Sequence, residues 1–588
     1  MENKYEWDLT EIFKNEEEFN KSKKELYKTL SDISKFQGKV CASSKNLLEV
    51  YKLLEEADKL FEKIYGYGML KYHLDMSNQE SIKTYKEVEK IGTDFAVSVS
   101  FITPEIIEKD AKLIEEYIKE EKMLEVYARD IRETLEKKKY VLSKTEENLL
   151  SNFSEIFSNS ENTYDIFTNA ELKYGKLIDS NGNEVELTDA NYTKYLKSKD
   201  ENVRKQSFSL MYNGYKKYIN TITELYLSRV KYAVTISKVR NYKSSLEKAV
   251  INDDSSIKVY DTLIEAINEN LDVNHEFMSL KKKMLKSKEM HMYDIYQNPL
   301  QLQDEKITFE QSKGEVLEAL SILGEDYINK LQEAFNNRWI DVYERENKRS
   351  GAYSMGIYGV HPYVLTNFIG DRRDTSTIAH ELGHAMHSYY SNTNQNIIDA
   401  NYTIMVAEVA STVNEMILAS FQIKNETNKE KRKELIYELL ENIRATLFRQ
   451  GMFAEFEKIV HEKIEQGNML SAEDLNDIYY KLNVKYFGES VFIDEDIKYE
   501  WARIPHFYSC FYVYKYASGI SSAIAIASKI LEGEEGFVDR YKEMLKQGCT
   551  KKSIDLLKMV DVDLESKKPY EDAIKFYKKY IDELKKEI

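Results

Sequence analysis

Five residues constrain this chain more than any other stretch: His380-Glu381-Leu382-Gly383-His384, inside the apolar segment Thr377 to His387. Histidines four apart lie one above the other on a helix, so both can turn a ring nitrogen to one metal ion. Glu381, one position on, sits about 100° round the helix and can reach a water at that ion without ligating it. Ile378, Ala379, Leu382, Ala385 and Met386 mark the helix as buried, where histidines without a partner would be costly. Two surface histidines on an ordinary helix is the weaker account.

A catalytic zinc keeps three protein ligands and one open position. A third histidine six residues after His384 would mark a metzincin, but that position is Tyr390. His387 lies seven residues from His380, about 10 Å along the axis, too far to share its ion. The better candidate is Glu408, in Ala407-Glu408-Val409-Ala410-Ser411-Thr412. Val406, Val409, Val413, Met416 and Ser420 form one stripe of a helix there, and Glu408, Ser411 and Glu415 form a polar stripe on another face. A carboxylate in those surroundings needs a partner, which a metal on two histidines supplies. Glu415, two turns further on, is placed to orient a ligand histidine through its other ring nitrogen.

The remaining sequence narrows the class. Five prolines in 588 residues favour long uninterrupted helices. A net charge of −17 argues against nucleic acid or an anionic membrane as partner. Cys41, Cys510 and Cys549 are odd in number and far apart, so no disulfide framework is expected. Met1 to Glu6 lacks an apolar signal segment, no apolar run reads as long enough for a bilayer, and the expected compartment is the cytosol.

Helical periodicity runs from Leu9 to about Ser100, with Leu47, Val50, Tyr51, Leu54, Ala57 and Leu60 as one stripe. Pro104 marks the start of another helical stretch reaching Lys139. The period changes between Asn169 and Leu187, where Asn181-Gly182 predicts the turn of a β-hairpin and Thr188 or Asp189 caps a following helix. Helices continue over 192–286 and 308–337, broken at His291 to Asp294 and Pro299. Glycine-punctuated, non-helical chain fills 339–370, and Tyr363 to Phe368 reads as a strand. That strand could accept an extended peptide backbone at an open edge, or be satisfied wholly by its neighbours.

Together, Thr377-x-x-His380-Glu381-Leu382-Gly383-His384-Ala385-x-His387 and Ala407-Glu408-Val409-Ala410-Ser411-Thr412 resemble the oligoendopeptidase F branch of the thimet-oligopeptidase-like (M3) zinc metallopeptidases. Trp7-Asp8-Leu9, Gly351-Ala352-Tyr353, His361-Pro362-Tyr363 with Asn367, Arg503-Ile504-Pro505-His506-Phe507-Tyr508 and Phe511 to Gly519 extend the resemblance over nearly the whole chain. It implies a predominantly α protein of two helical lobes around a deep substrate channel, with small β elements near the active site. The expected divisions are an N-terminal helical region over 1–110, a lobe over 111–190 ending in the hairpin, and a catalytic domain over 191–588. One zinc per chain is expected on His380, His384 and Glu408, with Glu381 as general base. Short peptides are the expected substrates, held by Asn367, His361 and Tyr363.

His506, Tyr508, Tyr512, Tyr514 and Tyr516 fall within eleven residues. On spacing alone they read as aromatic core. Hydrolysis through a metal-activated water, however, makes an oxyanion that needs donors besides the metal, and a tyrosine hydroxyl stays protonated at pH 7. The resemblance assigns such a role to a histidine and tyrosines of this segment. His506, Tyr512 and Tyr516 are the candidates, the two tyrosines sharing a helical face, and Tyr514 is assigned to packing. The reading is a zinc endopeptidase of short oligopeptides. Its rivals are a catalytically silent peptide binder on the same fold, a metal-free helical scaffold and a hydrolase of some other substrate.

Overall fold

Few prolines and pervasive 3.6-residue periodicity give a chain built mostly of helices, with three small sheets among the described residues. The structure, a computed structural model, describes residues 4–300 and 306–588; Met1 to Asn3 of the segment searched for a leader lie outside them. The chain divides into two compact units, each drawn from three stretches. One comprises 1–140, 304–422 and 526–562; the other comprises 141–303, 423–525 and 563–588.

In the first unit the long N-terminal periodicity resolves into helices Glu16–Ser34, Ser44–Leu74 and Gln79–Val99. Asn15, Ser43 and Asn78 cap their starts with side-chain oxygens. Leu47, Val50, Tyr51 and Ala57 of the expected stripe are buried. Pro104 does not open a long helix. It sits third in the six-residue helix Ile102–Ile107, and the stretch to 139 is broken into short helices.

The glycine-rich region over 339–370 forms a three-stranded sheet of Ile340–Tyr343, Tyr363–Phe368 and Tyr353–Met355. Tyr363–Phe368 is the central strand, parallel to Ile340–Tyr343 and antiparallel to Tyr353–Met355. Both its ladders are therefore taken, and it has no open edge to offer a peptide. The Ile340–Tyr343 edge is partly covered, since Val342 N–H donates to the Tyr5 carbonyl. Tyr353–Met355 is the edge that remains.

Trp7 pins the N-terminal segment to this sheet. Its indole Nε1–H is shared between the carbonyls of Trp339 (2.9 Å) and Val364 (2.8 Å), and its ring meets Tyr353 and Tyr363 edge-on.

The second unit carries the predicted hairpin. Lys176–Ile178 pairs antiparallel with Glu184–Glu186, Gly182 takes φ +83° in the turn, and Thr188 caps the next helix in a capping box with Asn191. The periodicity over 192–286 resolves into a succession of helices that includes Glu201–Lys217 and Ile219–Val239. Cys41, Cys510 and Cys549 are all free thiols.

One helix, Ile404–Asn425, is long and apolar enough to span a bilayer by length and composition. It is mostly buried within the protein and carries Glu408, Asn414 and Glu415, so it reads as a core helix.

Replacing Trp7 by Phe keeps an aromatic ring and removes the donor that the Trp339 and Val364 carbonyls share, the Trp339 carbonyl retaining the Val364 N–H. It is expected to destabilise the first unit by about 1–3 kcal/mol, seen as a lowered denaturation midpoint with an unchanged far-UV spectrum.

Candidate metal centre and active site

The candidate metal donors come from two helices whose relation is fixed by backbone contact. The first, Arg372–Asn394, starts just past the central strand. Asp371 caps it, and the Asp374 carboxylate accepts N–H bonds from Ile369, Gly370 and Asp371. Gly370 takes φ +83°, and a Cβ there would stand 2.8 Å from the Ile307 carbonyl oxygen. Only glycine fits so tight a strand-to-helix joint.

The second helix, Ile404–Asn425, lies directly against the first. A Cβ on Gly383 would stand 2.5 Å from Ser411 Cα and 2.8 Å from the Ala410 oxygen. Asn414 then locks the pair: its amide donates to the Ala379 carbonyl (3.0 Å) and its oxygen accepts the Tyr327 hydroxyl (3.1 Å). All three groups are buried, so each polar atom is satisfied away from water.

This close approach brings His380, His384 and Glu408 together. The two Nε2 atoms face each other at 3.1 Å, and Glu408 oxygens lie 3.7 Å from His380 Nε2 and 3.9 Å from His384 Nε2. Ligands about 2.0–2.1 Å from a tetrahedral zinc stand about 3.3 Å apart, so this donor set is of the right size. Glu415 accepts a hydrogen bond from His380 Nδ1–H. That fixes the tautomer whose Nε2 lone pair points at the other donors. Among the described residues this is the one group of three or more such side chains close enough to hold a metal ion.

The electrostatics agree with the geometry. Burial, then the charge of His380, pushes the His384 ring down to about 3, keeping it neutral and able to ligate. Burial works against the charged form of His380, but the hydrogen bond and charge of Glu415, with the charges of Glu381 and Glu408, together outweigh it and raise the ring. Burial also raises Glu408, against the pull of His380. Glu381 is pushed up to about 7 by burial, helped by Glu408 and Glu415 and opposed by His380. Its Oε2 is buried without a hydrogen-bond partner. His387 turns away from the cluster. It is fully buried, stacked on Tyr402 at 3.7 Å with neither ring nitrogen bonded.

Comparison with known proteins bears directly on this arrangement. Residues 194–576 match the model of peptidase family M3, and residues 105–174 match that of the oligopeptidase F N-terminal region. Oligopeptidase PepF of Bacillus subtilis is 37% identical over 98% of this chain and 86% of its own. An oligoendopeptidase F homolog of Borreliella burgdorferi is 35% identical over 99% of this chain and 98% of its own. The crystal structure of oligoendopeptidase-F from Enterococcus faecium superposes with a TM-score of 0.73 at 31% identity, over 97% of this chain and 99% of that one. This chain belongs to peptidase family M3. It is a peptidase, predominantly α in fold.

The aromatic candidates of this M3 peptidase sit in the second unit and form one cluster. His506 has ring contacts with Tyr512 (6.1 Å) and Tyr516 (5.9 Å), and the two tyrosines meet edge-on at 5.5 Å. The Tyr516 hydroxyl lies 3.4 Å from His506 Nε2. Tyr514, assigned to packing, is buried with its hydroxyl on Asp253. Tyr508 is buried too, stacked on Tyr164.

Sequence reasoning missed what holds this loop. Phe511 takes φ +59°, a left-handed conformation costly for an aromatic residue. Its N–H donates to the Glu457 carboxyl at 2.6 Å. Glu457 is fully buried, and burial raises its pKa, favouring the protonated form.

The three residues assigned to substrate divide. Asn367 lines a hollow of about 230 Å³ with Gly351, Phe368 and Thr377, though its amide donors are committed to the Arg349 and Gly351 carbonyls. His361 and Tyr363 are not brought to it. His361 stacks on Trp339 at 4.7 Å, and Tyr363 is fully buried with its hydroxyl on the Asp8 carbonyl. Tyr363 opens the central strand and His361 lies just before it, both packed away from that hollow.

Gly383 is the signal the sequence offered but that helical periodicity cannot weigh. Gly383→Ala is expected to force the two helices apart and weaken metal binding at least tenfold by competition with a chromophoric chelator, about 1.4 kcal/mol. Glu415→Gln loses the anchor of His380 and is expected to weaken it about 10–100-fold.

Proposed function

We propose that this M3 peptidase is a zinc-dependent endopeptidase that cleaves internal bonds of short oligopeptides in the cytosol. The observation that carries the reading is the convergence of two histidine Nε2 atoms and a Glu408 oxygen beside the unpartnered, buried carboxylate of Glu381. His380, His384 and Glu408 would hold one zinc per chain. Bound there, zinc would supply Lewis acidity toward a water and the scissile carbonyl.

The chain's own residues do the rest. Glu381 takes the proton of the attacking water at its carboxylate and delivers it to the leaving amine. A pKa near neutrality suits both halves of that transfer, since the group must be base first and acid second. Glu415 keeps His380 in one tautomer throughout. His506, Tyr512 and Tyr516 are assigned the oxyanion. Their mutual contacts and the matching family motif support that assignment. Asn367 is assigned to the peptide backbone. The edge strand beside it, Tyr353–Met355, replaces the central strand as the candidate for pairing with substrate.

Glu381→Gln is expected to bind zinc as wild type does and to lose about 10²–10⁴-fold in kcat on an internally quenched peptide of about ten residues. A chelator should abolish wild-type turnover. Zinc bound with no cleavage of any such peptide by wild type would instead identify a silent peptide binder.

Since Glu381 must be ionised to accept the proton, wild-type kcat/KM should fall on the acid side. The limb should lie below about 7, because a bound dication favours the carboxylate. Tyr512→Phe and Tyr516→Phe test the oxyanion assignment; at least one should lower kcat about 10²–10³-fold with metal content unchanged.

A further inference from the structure

The second unit contains a hollow of about 330 Å³ that the reaction above does not use. Its walls carry three cationic side chains, Arg229, Lys248 and Lys515, in a protein whose acidic residues outnumber its basic ones by 101 to 84. Lys515 is balanced, since its ammonium lies 2.5 Å from the Asp253 carboxylate. Arg229 is not. Its Nε–H donates to the Tyr508 carbonyl at 2.6 Å and its guanidinium lies over the Tyr232 ring, but neither partner carries a charge.

Lys248 has no ion-pair or hydrogen-bond partner for its ammonium among the described residues. The surrounding acids do not make up the difference. Burial disfavours the charged form of Glu457 and pushes the Cys510 thiol up to about 12. Burial, then the nearby guanidiniums of Arg240 and Arg229, disfavour the Lys248 ammonium, a penalty that an anion seated between Lys248 and Arg229 would relieve.

The shape of the hollow restricts the anion. A guanidinium with its outer nitrogens uncommitted beside an ammonium is suited to a planar carboxylate. Ala233, Ile236 and Ala249 add apolar wall beside the charges, room for a short side chain next to that carboxylate. Tyr512 lines the same hollow while its ring touches His506 and Tyr516. A ligand seated here therefore abuts the cluster assigned to the oxyanion.

We propose that this hollow binds the C-terminal carboxylate of the peptide substrate, through Arg229 and Lys248, with the last side chain against Ala233, Ile236 and Ala249. The inference rests on the peptidase reading. It makes the free C-terminus, the one anion every unmodified peptide has, a determinant of substrate affinity.

The test uses the full chain with zinc and three matched quenched peptides: a free acid, its C-terminal amide, and an amide whose last residue is Glu. Wild type is expected to show a KM for the plain amide at least about tenfold above that for the acid, the loss of one charge-assisted interaction. Lys248→Met and Arg229→Gln should each bring that ratio to within about twofold while zinc content stays the same. Recovery by the Glu-ended amide would show that any terminal carboxylate group suffices, whereas no recovery would show that the main-chain carboxylate is required; both support the site.

Equal KM for acid and amide in wild type would overturn the proposal, and so would a ratio that survives both substitutions. Competition by inorganic phosphate without any acid–amide difference would reassign the hollow to phosphate. If wild type cleaved no peptide, the peptidase reading would fail separately. Calorimetric binding of the intact acid and amide would then decide the site, equal affinities overturning it. Should Arg229→Gln not fold, because Arg229 also supports the Tyr508 carbonyl, the wild-type comparison and Lys248→Met still decide the matter.

Discussion

The metal centre depends on one steric fact: Gly383 has no side chain where its helix meets Ser411. Glu408 lies three residues before Ser411 and Glu415 four residues after it, so both carboxylates project on the face that meets the histidines. His380 is placed between them, with Nε2 toward Glu408 and Nδ1 toward Glu415. The register of that contact decides which carboxylate joins the candidate donor set and which bonds to His380 Nδ1. Asn414 guards it with two buried hydrogen bonds that no shifted register would satisfy.

The same packing creates an electrostatic demand. Three carboxylates, Glu381, Glu408 and Glu415, crowd two histidines, and no Lys or Arg among the described residues pairs with them. Burial raises the proton affinity of Glu381 and of Glu408, and the neighbouring acids add to it, Glu408 and Glu415 for Glu381 and Glu415 for Glu408. A dication relieves all of this at once. The excess negative charge is therefore part of the design of a cation site rather than a defect in the core. By the same logic, two unpaired cations in the second unit imply an anion.

Much of this was legible in the sequence, because helical spacing translates directly into geometry. His380 and His384 share a face by their separation alone, and the polar stripe of Glu408 and Glu415 was visible against a run of valines. The hairpin was announced by Asn181-Gly182, the first unit's helices by their apolar stripes. What failed was what depends on partners far along the chain. A strand's pattern does not say whether its edges are occupied, so the centre of the sheet was open to being read as its edge. His361 and Tyr363 carry functional residue types, yet Trp7 and Asp8, more than 350 residues away, recruit Tyr363 into the core. Pro104 signalled a helix start but not how soon the helix would end. The buried acid Glu457 left no trace in the sequence, since nothing local distinguishes it from a surface glutamate.

The weaving of each unit from three stretches has a consequence for how the protein is made. The stretch over 526–562 belongs to the unit that holds the metal donors, and it ties itself to that unit at the Asp399 carbonyl, which accepts from Cys549 N–H, and at Asp326, which pairs with Lys542. A ribosome adding about 5–20 residues per second takes on the order of ten seconds to travel from the end of the donor helix to that stretch. Throughout that interval the histidines and Glu408 exist as emerged chain whose enclosing elements have not yet been synthesised. A nascent protease built in this order has its metal donors on hand early but its finished architecture only late, so the timing of translation itself withholds the completed site until nearly all of the chain has been made.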